Sequence, residues 1–433
     1  MTRIADIADT LAGYDPEALS VDDVHAFLRE LSVPLAVREV EQVALPDALG
    51  RVLAQDIVSP VSVPPHDNSA MDGYAFDGAV LDNASGEIAL DVIGTALAGA
   101  AWRDAVGAGQ AARIMTGAVM PPGCDTVIPQ EFCQAAEARV RFPASAVRRG
   151  DNRRRAGEDL MQGGSALPRG ERITPAALGL IGSLGIDRVA VLRRLRVAYF
   201  STGSEILSVG QPPREGAVYD SNRYTVFGLL TRLGAQVLDF GVVRDDPAAL
   251  EAALAHAARE ADAVITSGGV SVGEADHTRA VMQRLGDMAF WHIAMRPGRP
   301  MAVGLLHGSA NAQGTVLFGL PGNPVAVMVT FLALVRPALL RMMGCNARCA
   351  APPPLLRATT HAPIRKKPGR TEYQRGVVQQ VPGALPSVRI AANQGSGVLS
   401  SMVEANGLVV LGHAQGNVAA GETVDVMLLD GVM

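Results

Sequence analysis

The sequence predicts a multidomain protein of the α/β plus β class, in which a doubly wound α/β domain lies between two β-rich regions. Its 433 residues suffice for about two to four domains. Strands and helices alternate over residues 195–343 at the spacing of a parallel, doubly wound sheet. Residues 67–145 and 355–433 contain short apolar segments separated by Gly and Pro, which is typical of small β domains, and the second region predicts a β-barrel.

Composition and charge exclude several classes of protein. Hydrophobic residues make up 48% of the chain and charged residues 19%, which excludes wholesale disorder. The net charge of −5 offers no basic excess for binding nucleic acid or an anionic membrane. The N-terminus has no secretory pattern, and the longest apolar run, residues 325–335, is too short to span a bilayer. We therefore expect a cytoplasmic protein in which this run is a buried helix.

The four cysteines are too few for a disulfide framework in a chain of this length. Cys345 and Cys349 are close enough in sequence to bridge or to bind a metal, but no second pair accompanies them. We expect inert thiols in a reducing cytoplasm.

Helical periodicity predicts the elements outside the α/β domain. Residues 21–33 form an amphipathic helix with acids in its first turn, and residues 37–55 contain a second helical stretch. Prolines 60, 64 and 65 then introduce the first β-rich region. An Arg- and Gly-rich loop covers residues 147–159, and residues 174–185 return to a helical pattern.

Within the α/β domain, buried strands are expected at residues 195–202, 235–243 and 262–269, and a long apolar helix at 323–342. Residues 221–234 predict a helix capped by Ser221 and ended by Gly234. Residues 245–260 predict another helix, with Asp246 as N-cap and Pro247 at its first position. Three prolines at 352–354 mark the linker to the barrel.

A glycine-rich loop carries the first candidate chemistry. Residues 266–276, TSGGVSVGEAD, join a strand to a helix, where backbone N–H groups can bind a phosphate. A plain glycine-rich turn is the alternative. Asp276 can cap the next helix, or it can supply a carboxylate for Mg²⁺ or for proton transfer.

Two proline-containing loops are further candidates. In residues 296–300, RPGRP, a rigid Pro-Gly turn separates two arginines and can direct both toward one oxyanion, although a solvated basic turn is the alternative. Residues 320–324, LPGNP, close a strand and open the apolar helix, either as a binding loop or as a plain connector.

Carboxylates are expected at the same place, because the carboxyl ends of parallel strands meet at one edge of a doubly wound sheet. Glu205 and Asp245 follow the first two strands, and Asp276 follows the glycine-rich loop. These three side chains predict a magnesium site beside a phosphate site. The histidines near the motifs lack the spacing of metal ligands.

The motifs together resemble those of the MoeA family of molybdopterin molybdenumtransferases, to which the E domains of gephyrin and of plant molybdenum-cofactor synthesis proteins are related. The resemblance runs from about residue 20 to the end of the chain. Seven motifs in the family's order carry it: HDNSAMDGYA, RIMTGA, NRRRAGED, STGSE, GGVSVGEAD, RPGRP and LPGNPVA.

The resemblance implies an enzyme that inserts molybdate into the dithiolene of adenylylated molybdopterin, with Mg²⁺-dependent release of AMP, to give molybdenum cofactor. It implies Mg²⁺ as the cofactor, a homodimer, and contacts with the adenylyltransferase and with molybdoenzymes. It also implies four domains, whose boundaries are as follows: an elongated domain from 1–66 and 160–194, an inserted β domain at 67–159, a molybdopterin-binding α/β domain at 195–345, and a C-terminal β-barrel at 346–433.

Residue roles follow from the matching positions. The implied catalytic residues are Asp72, Thr116, Asp159, Glu205, Asp245 and Asp276, and the last three are the implied Mg²⁺ ligands. The implied substrate-binding residues are Gly268, Gly269, Ser271, Gly273, Arg296, Arg299, Pro321, Gly322, Asn323, Pro324, Arg370, Arg375 and Ser396.

The chain departs from the family pattern at a few of these motifs. Arg296 and Arg299 replace lysines, which keeps the charge and adds hydrogen-bond donors. His292 replaces another lysine, Ser204 replaces an acid, and Ala326 replaces a serine.

Two other functions use parts of the same pattern. A molybdopterin adenylyltransferase shares the α/β domain, but the additional domains predicted here argue against that activity. A non-catalytic scaffold, as in gephyrin, is the other alternative. Neither a fused second enzyme domain nor a linker leading to one is visible in the sequence, which favours the transferase.

Overall fold

The computed structural model describes residues 4–11, 14–268, 276–308, 314–380 and 382–433, without the side chains of residues 276 and 277. Three six-stranded sheets organise the described chain, and shorter strand pairs connect them. The multidomain α/β plus β class that the sequence predicts is confirmed.

The chain begins with the helices Ile4–Thr10 and Val21–Ser32. The second helix forms because Ser20 and Asp23 cap it reciprocally: the Ser20 hydroxyl accepts from the Asp23 N–H, and the Asp23 carboxylate accepts from the Ser20 N–H. Its apolar side packs into the main core, where the Phe27 ring lies edge-on to Trp291 with centroids 4.9 Å apart. The predicted helix over 21–33 is confirmed.

Replacing Ser20 with Ala removes half of this reciprocal cap. We expect the free energy of unfolding to fall by about 1 kcal/mol, the usual cost of losing an N-cap hydroxyl. Urea unfolding followed through the fluorescence of Trp291, in a Trp102→Phe background, measures the change. The matched control is Ser183→Ala, whose exposed hydroxyl donates back to the Leu180 carbonyl within the same helix. Equal losses in both variants would contradict the role of the cap.

The second helical stretch predicted over residues 37–55 is wrong. The chain there forms the strand Val40–Ala44 and one 3-10 turn, Leu45–Ala48. The strand pairs antiparallel with Arg188–Leu192, a partner nearly 150 residues away that the local pattern cannot reveal. Gly50, with φ of 74°, then turns the chain out of any helix.

The rest of this N-terminal unit is built from distant segments. Ile57–Val58 pairs with Ser165–Leu167, and Thr174 caps the helix Pro175–Ser183, which confirms the helix predicted at 174–185. Apolar side chains from both segments, including Leu53, share one core.

An antiparallel-rich sheet forms the first β domain, as the sequence predicts. Its strands in order across the sheet are Thr126–Pro129, Gly73–Phe76, Gln110–Ile114, Glu87–Ala96, Arg139–Pro143 and Gln134–Ala136. Short 3-10 turns at Gly78–Leu81, Gln130–Phe132 and Ala144–Ala146 connect these strands. A separate two-stranded pair, Asn68–Ser69 with Arg153–Arg154, lies beside this sheet.

The α/β domain has helices on both faces of a mixed sheet. Its strands in order are Gln236–Val243, Arg196–Thr202, Ala263–Ser267, Thr315–Leu320, Pro300–Leu306 and Gly286–His292. The first four are parallel, and Pro300–Leu306 is antiparallel to both of its neighbours. The helices Ser221–Leu233 and Pro324–Met342 cover one face, and Pro247–Glu260 and Asp276–Leu285 cover the other.

The caps of these helices agree with the sequence in two cases and differ in one. Asp246 caps Pro247–Glu260, and Gly234 ends Ser221–Leu233 in the left-handed conformation with φ of 94°. The N-cap of that second helix is Asp220, not Ser221, because the Asp220 carboxylate accepts from the Arg223 N–H.

The helix Pro324–Met342 is long and apolar enough to cross a membrane by length and composition, but 89% of its most apolar stretch is buried within the fold. It contains a π-helical segment, Phe331–Val335, and packs between the sheet and the helix Val21–Ser32. This helix is therefore a buried helix of the fold, as the sequence predicts.

The C-terminal region is a closed barrel of five strands. Around the barrel they are Thr371–Gln379, Ser387–Ile390, Leu356–Thr360, Thr423–Leu428 and Gly407–Leu411, which pairs again with the first. A short helix, Ser400–Glu404, lies beside it. The short strand Met295–Arg296 pairs with Thr371–Glu372 and so attaches the α/β domain to the barrel. A two-stranded pair, Ile206–Leu207 with Val218–Tyr219, follows the strand Arg196–Thr202 in the chain.

Candidate active site

A cavity of about 560 Å³ lies at the carboxyl edge of the α/β sheet. The loops after the parallel strands, the RPGRP loop and one loop of the barrel form its wall. Eight of the implied site residues line it: Glu205, Asp245, Gly268, Arg296, Pro321, Gly322, Asn323 and Ser396. Thr202, Pro297 and Gly298, which belong to the STGSE and RPGRP motifs, also line it, as do Thr278, Gln394 and Gly395, to which the sequence assigned no role.

The backbone of two loops approaches closely at the floor of this cavity. Gly268 has φ of 90°, and a Cβ there would collide with the Thr202 carbonyl. Gly322, in the LPGNP loop, faces Gly268 with no side chain between them. Such exposed backbone suits a phosphate or another oxyanion. Gly269, Ser271 and Gly273, which belong to the same predicted phosphate loop, lie outside the described residues.

Two carboxylates of the predicted magnesium set reach the cavity. Glu205 folds over Gly203, so that a Cβ at that glycine would lie 2.7 Å from either carboxylate oxygen. Asp245 also lines the cavity, whereas its neighbour Asp246 caps a helix. A helix begins at Asp276, whose side chain lies outside the described structure.

The donor atoms present fit Mg²⁺. Mg²⁺ prefers oxygen ligands and usually takes one or two carboxylates together with substrate phosphates. Glu205 and Asp245 supply such carboxylates, and the buried hydroxyl of Thr202, which lines the same cavity, has no hydrogen-bond partner among the described residues. Among the described residues, no group of three His, Cys, Asp or Glu side chains forms a complete metal site. The described side chains alone therefore do not complete a metal site, and a Mg²⁺ ion there would need further oxygen ligands, such as those of a phosphate.

The RPGRP loop reaches this edge because it joins two antiparallel strands, one that ends there and one that begins there. Gly286–His292 ends at the edge, and the antiparallel strand Pro300–Leu306 begins there. Gly298, with φ of 99°, packs so tightly against Thr330 that a side chain could not be accommodated. Arg296 lines the cavity, whereas Arg299 is exposed and is not among its lining residues. The structure thus presents one of the two arginines to a ligand.

The LPGNP loop places a helix N-terminus at the cavity. Pro321, Gly322 and Asn323 line it, and Pro324 occupies the first turn of the helix behind them. The Asn323 side chain does not cap the helix. The Val325 N–H instead donates to the Ser396 carbonyl at 3.0 Å, which docks the barrel loop onto the helix.

Arg375 holds that barrel loop in place. Its fully buried guanidinium donates to the carbonyls of Asn393 and Gly395, at 3.1 and 2.9 Å, and to the Ser401 hydroxyl. Burial lowers the pKa of Arg375, and the nearby Arg296 lowers it further. Arg375 therefore positions the loop that presents Ser396.

Arg370 is also engaged within the barrel. It forms an ion pair with the buried Glu372 at 2.7 Å. Glu372, Arg375 and Arg296 line a second cavity of about 370 Å³ that adjoins the first. Neither cavity has Arg370 among its lining residues.

A buried polar network stiffens the strand ends beneath the cavity. The Tyr199 hydroxyl contacts the hydroxyls of Ser201 and Ser267 at 2.8 and 2.7 Å, and Ser201 donates to Asp220 at 2.9 Å. Burial raises the pKa of Tyr199 well above its usual range. The sequence signal for this network is the presence of Ser201 and Ser267 at the ends of two otherwise apolar strands.

The remaining implied catalytic residues lie in the β domain and are not among the lining residues of the edge cavity. The Thr116 backbone N–H and hydroxyl both donate to one oxygen of Asp72, at 2.7 Å. These hydrogen bonds, the backbone one above all, lower the pKa of the exposed Asp72 carboxyl. Asp159 is also exposed, and its N–H donates to the Val63 carbonyl.

Family models match three consecutive parts of the chain. Residues 19–185 match the MoeA N-terminal region (domain I and II), residues 198–341 match a probable molybdopterin binding domain, and residues 357–429 match the MoeA C-terminal region (domain IV).

Curated proteins and solved structures agree with these models. A molybdopterin molybdenumtransferase of Haemophilus influenzae is 39% identical over 94% of this chain and 98% of its own length. One from Bacillus subtilis is 35% identical over 90% of each chain. The crystal structure of a molybdopterin biosynthesis moeA protein from Pyrococcus horikoshii covers 95% of this chain and all of its own, with a TM-score of 0.77 at 26% identity. The chain therefore belongs to the MoeA family of molybdopterin molybdenumtransferases.

Proposed function

We propose that this transferase inserts molybdate into the dithiolene of adenylylated molybdopterin and releases AMP in a Mg²⁺-dependent step. The family acts in molybdenum insertion into molybdopterin. The adenylylated form of the substrate and the metal dependence are what the resemblance to the family implies, and one observation supports them: the edge cavity combines close-approaching backbone, two carboxylates and an arginine. Of the described residues that line it, none is Cys or His, which suits a reaction in which the substrate's own sulfurs take the molybdenum.

Each part of the cavity has a role in this proposal. The backbone of Gly268 and Gly322 binds the phosphates of the adenylylated substrate. Arg296 binds molybdate through charge-assisted hydrogen bonds, and the Gln394–Ser396 segment closes the cavity from the barrel side. Glu205 and Asp245, with Asp276, would hold Mg²⁺. Bound there, Mg²⁺ would neutralise the charge that develops on the pyrophosphate link as it is cleaved.

We further propose a cytoplasmic homodimer in which the partner completes each site. Asp72 and Thr116 form a preorganised pair in the β domain, away from the edge cavity of the same chain. A two-fold partner can present this pair to the other subunit's cavity, because an isologous contact is made twice. Contacts with the adenylyltransferase and with recipient molybdoenzymes would deliver the substrate and remove the product.

Removing the charge of Arg296 tests the oxyanion part of this proposal. In Arg296→Ala we expect the molybdate concentration for half-maximal rate to rise roughly fivefold, equivalent to about 1 kcal/mol. Arg299→Ala is the matched control, since that exposed arginine belongs to the same loop but is not among the cavity's lining residues. A larger rise in Arg299→Ala than in Arg296→Ala would show that Arg299, and not Arg296, binds molybdate.

Cofactor reconstitution tests the function as a whole. The purified protein is incubated with adenylylated molybdopterin, Mg²⁺ and molybdate, and the product is used to activate a molybdenum-free molybdoenzyme. We expect activation that requires all three components. Consumption of ATP with molybdopterin alone would instead identify an adenylyltransferase, and failure in both assays would favour the scaffold function.

A further inference from the structure

Two cysteines outside the active site lie in direct contact. The Sγ atoms of Cys345 and Cys349 are 2.8 Å apart, and both side chains are half-buried free thiols. The turn between them is held by Asn346, whose side-chain oxygen accepts from the Cys349 N–H at 2.9 Å. Residues 347 and 348, at the tip of the turn, are exposed. A small molecule in solution can therefore approach the pair.

The surroundings favour a thiolate at Cys349. The Arg172 backbone and guanidinium both lie near the Cys349 sulfur, where they favour its charged form. Hydrogen bonding between the two thiols, followed by these contacts, holds the pKa of Cys349 below its usual range and raises that of Cys345. Arg336 adds a second positive charge near the pair, and Glu171 is the opposing negative charge. A thiolate in an electropositive, partly exposed setting is a reactive nucleophile.

The other two cysteines provide an internal contrast. Burial, with nearby carboxylates, raises the pKa of Cys124 to about 12 and that of Cys133 to about 11. The Cys133 thiol donates to the Pro129 carbonyl rather than to a sulfur. These two thiols therefore have the inert character that the sequence led us to expect of all four.

We propose that Cys345 and Cys349 form a redox modification site that exchanges with low-molecular-weight disulfides of the glutathione type and closes to an intramolecular disulfide. In the first step the Cys349 thiolate attacks one sulfur of the small disulfide. The S–S bond breaks, and one small thiolate leaves. In the second step Cys345 gives up its proton and attacks the Cys349 sulfur, which expels the second small thiol. The small disulfide is reduced to two thiols, and the protein loses two hydrogens.

The position of the pair gives the disulfide a structural consequence. The turn follows Arg336–Met342, the last segment of the long helix Pro324–Met342, and leads into the linker to the barrel. The Asn346 N–H donates to the Gly170 carbonyl, and its side chain donates to Glu171, so the turn also contacts the N-terminal unit. Oxidation would therefore fix the turn where three parts of the molecule meet.

Thiol trapping in glutathione buffers tests this proposal on the full-length protein. The protein is equilibrated at neutral pH with increasing ratios of oxidised to reduced glutathione and quenched with acid, and free thiols are then alkylated in denaturant and mapped by mass spectrometry. We expect Cys345 and Cys349 to be lost together, with a mass decrease of two hydrogens, while Cys124 and Cys133 remain alkylatable. In Cys345→Ser we expect a stable glutathione adduct on Cys349, because the resolving thiol is gone.

A variant without the other two cysteines is the control for this experiment. The double variant Cys124→Ser, Cys133→Ser should form the disulfide at the same glutathione ratio as the wild type. Circular dichroism verifies that each variant is folded. If a variant does not fold, the thiol mapping of the wild-type protein decides the outcome. Four alkylatable thiols at the most oxidising ratio would overturn the proposal. So would glutathione attachment to Cys124 or Cys133 as readily as to Cys349.

Discussion

We expect AMP release in Asp245→Asn to fall by at least about tenfold, which corresponds to losing about 1.4 kcal/mol of transition-state stabilisation. The substitution keeps the shape of the side chain but removes the charge that would hold Mg²⁺ beside the substrate phosphates. Asp245 is exposed at the cavity, so the fold should be unchanged. The rate of AMP release at saturating substrate, measured over a range of Mg²⁺ concentrations, detects the loss.

The adjacent carboxylate provides the matched control for this variant. Asp246 accepts from the N–H groups of Ala248 and Ala249 as a helix cap. Because Asn caps a helix about as well as Asp does, Asp246→Asn should retain both stability and AMP release. If the two variants lose activity equally, the effect comes from the helix terminus and not from a metal ligand at Asp245.

A mixed dimer of two inactive variants recovers roughly half of the wild-type activity per dimer if each site is shared between subunits. Asp72→Ala damages the β-domain pair, and Asp245→Ala damages the edge cavity. In a heterodimer of the two, one shared site is intact and the other carries both lesions. We expect activity to rise from the background of either parent to about half, as the two-fold geometry requires.

The design depends on two checks. Each parent homodimer must be folded and inactive, and the heterodimer must be isolated by different affinity tags on its subunits. If every site forms within one chain, each site of the heterodimer carries one lesion. Activity that remains at the parental background would then exclude sharing.

Local sequence patterns predicted those helices and strands whose formation depends on interactions between neighbouring residues. The Ser20 cap and the apolar spacing behind it are enough to form the helix Val21–Ser32. The strand Val40–Ala44 could not be predicted in this way, since it forms against Arg188–Leu192. The Asp220 cap was missed because Asp220 and Ser221 are both good caps, and only the backbone geometry selects between them.

In the candidate site, too, some features could be predicted from the sequence and others depend on tertiary structure. Strand order was enough to predict that Glu205 and Asp245 approach one edge. The roles of the arginines depended on tertiary structure: Arg375 is turned inward onto backbone carbonyls, and Arg370 onto Glu372. The contact between Asp72 and Thr116 joins residues 44 positions apart, and no local pattern encodes it.

The stoichiometry of AMP and molybdenum tests the central claim most directly. The enzyme is supplied with adenylylated molybdopterin, Mg²⁺ and molybdate, and AMP released and molybdenum bound to the pterin are quantified in the same sample. The proposed reaction predicts equal amounts of both, and neither in the Asp245→Asn variant beyond its residual rate. AMP released without molybdenum incorporation, or molybdenum incorporated while the adenylyl group stays on the pterin, would contradict it.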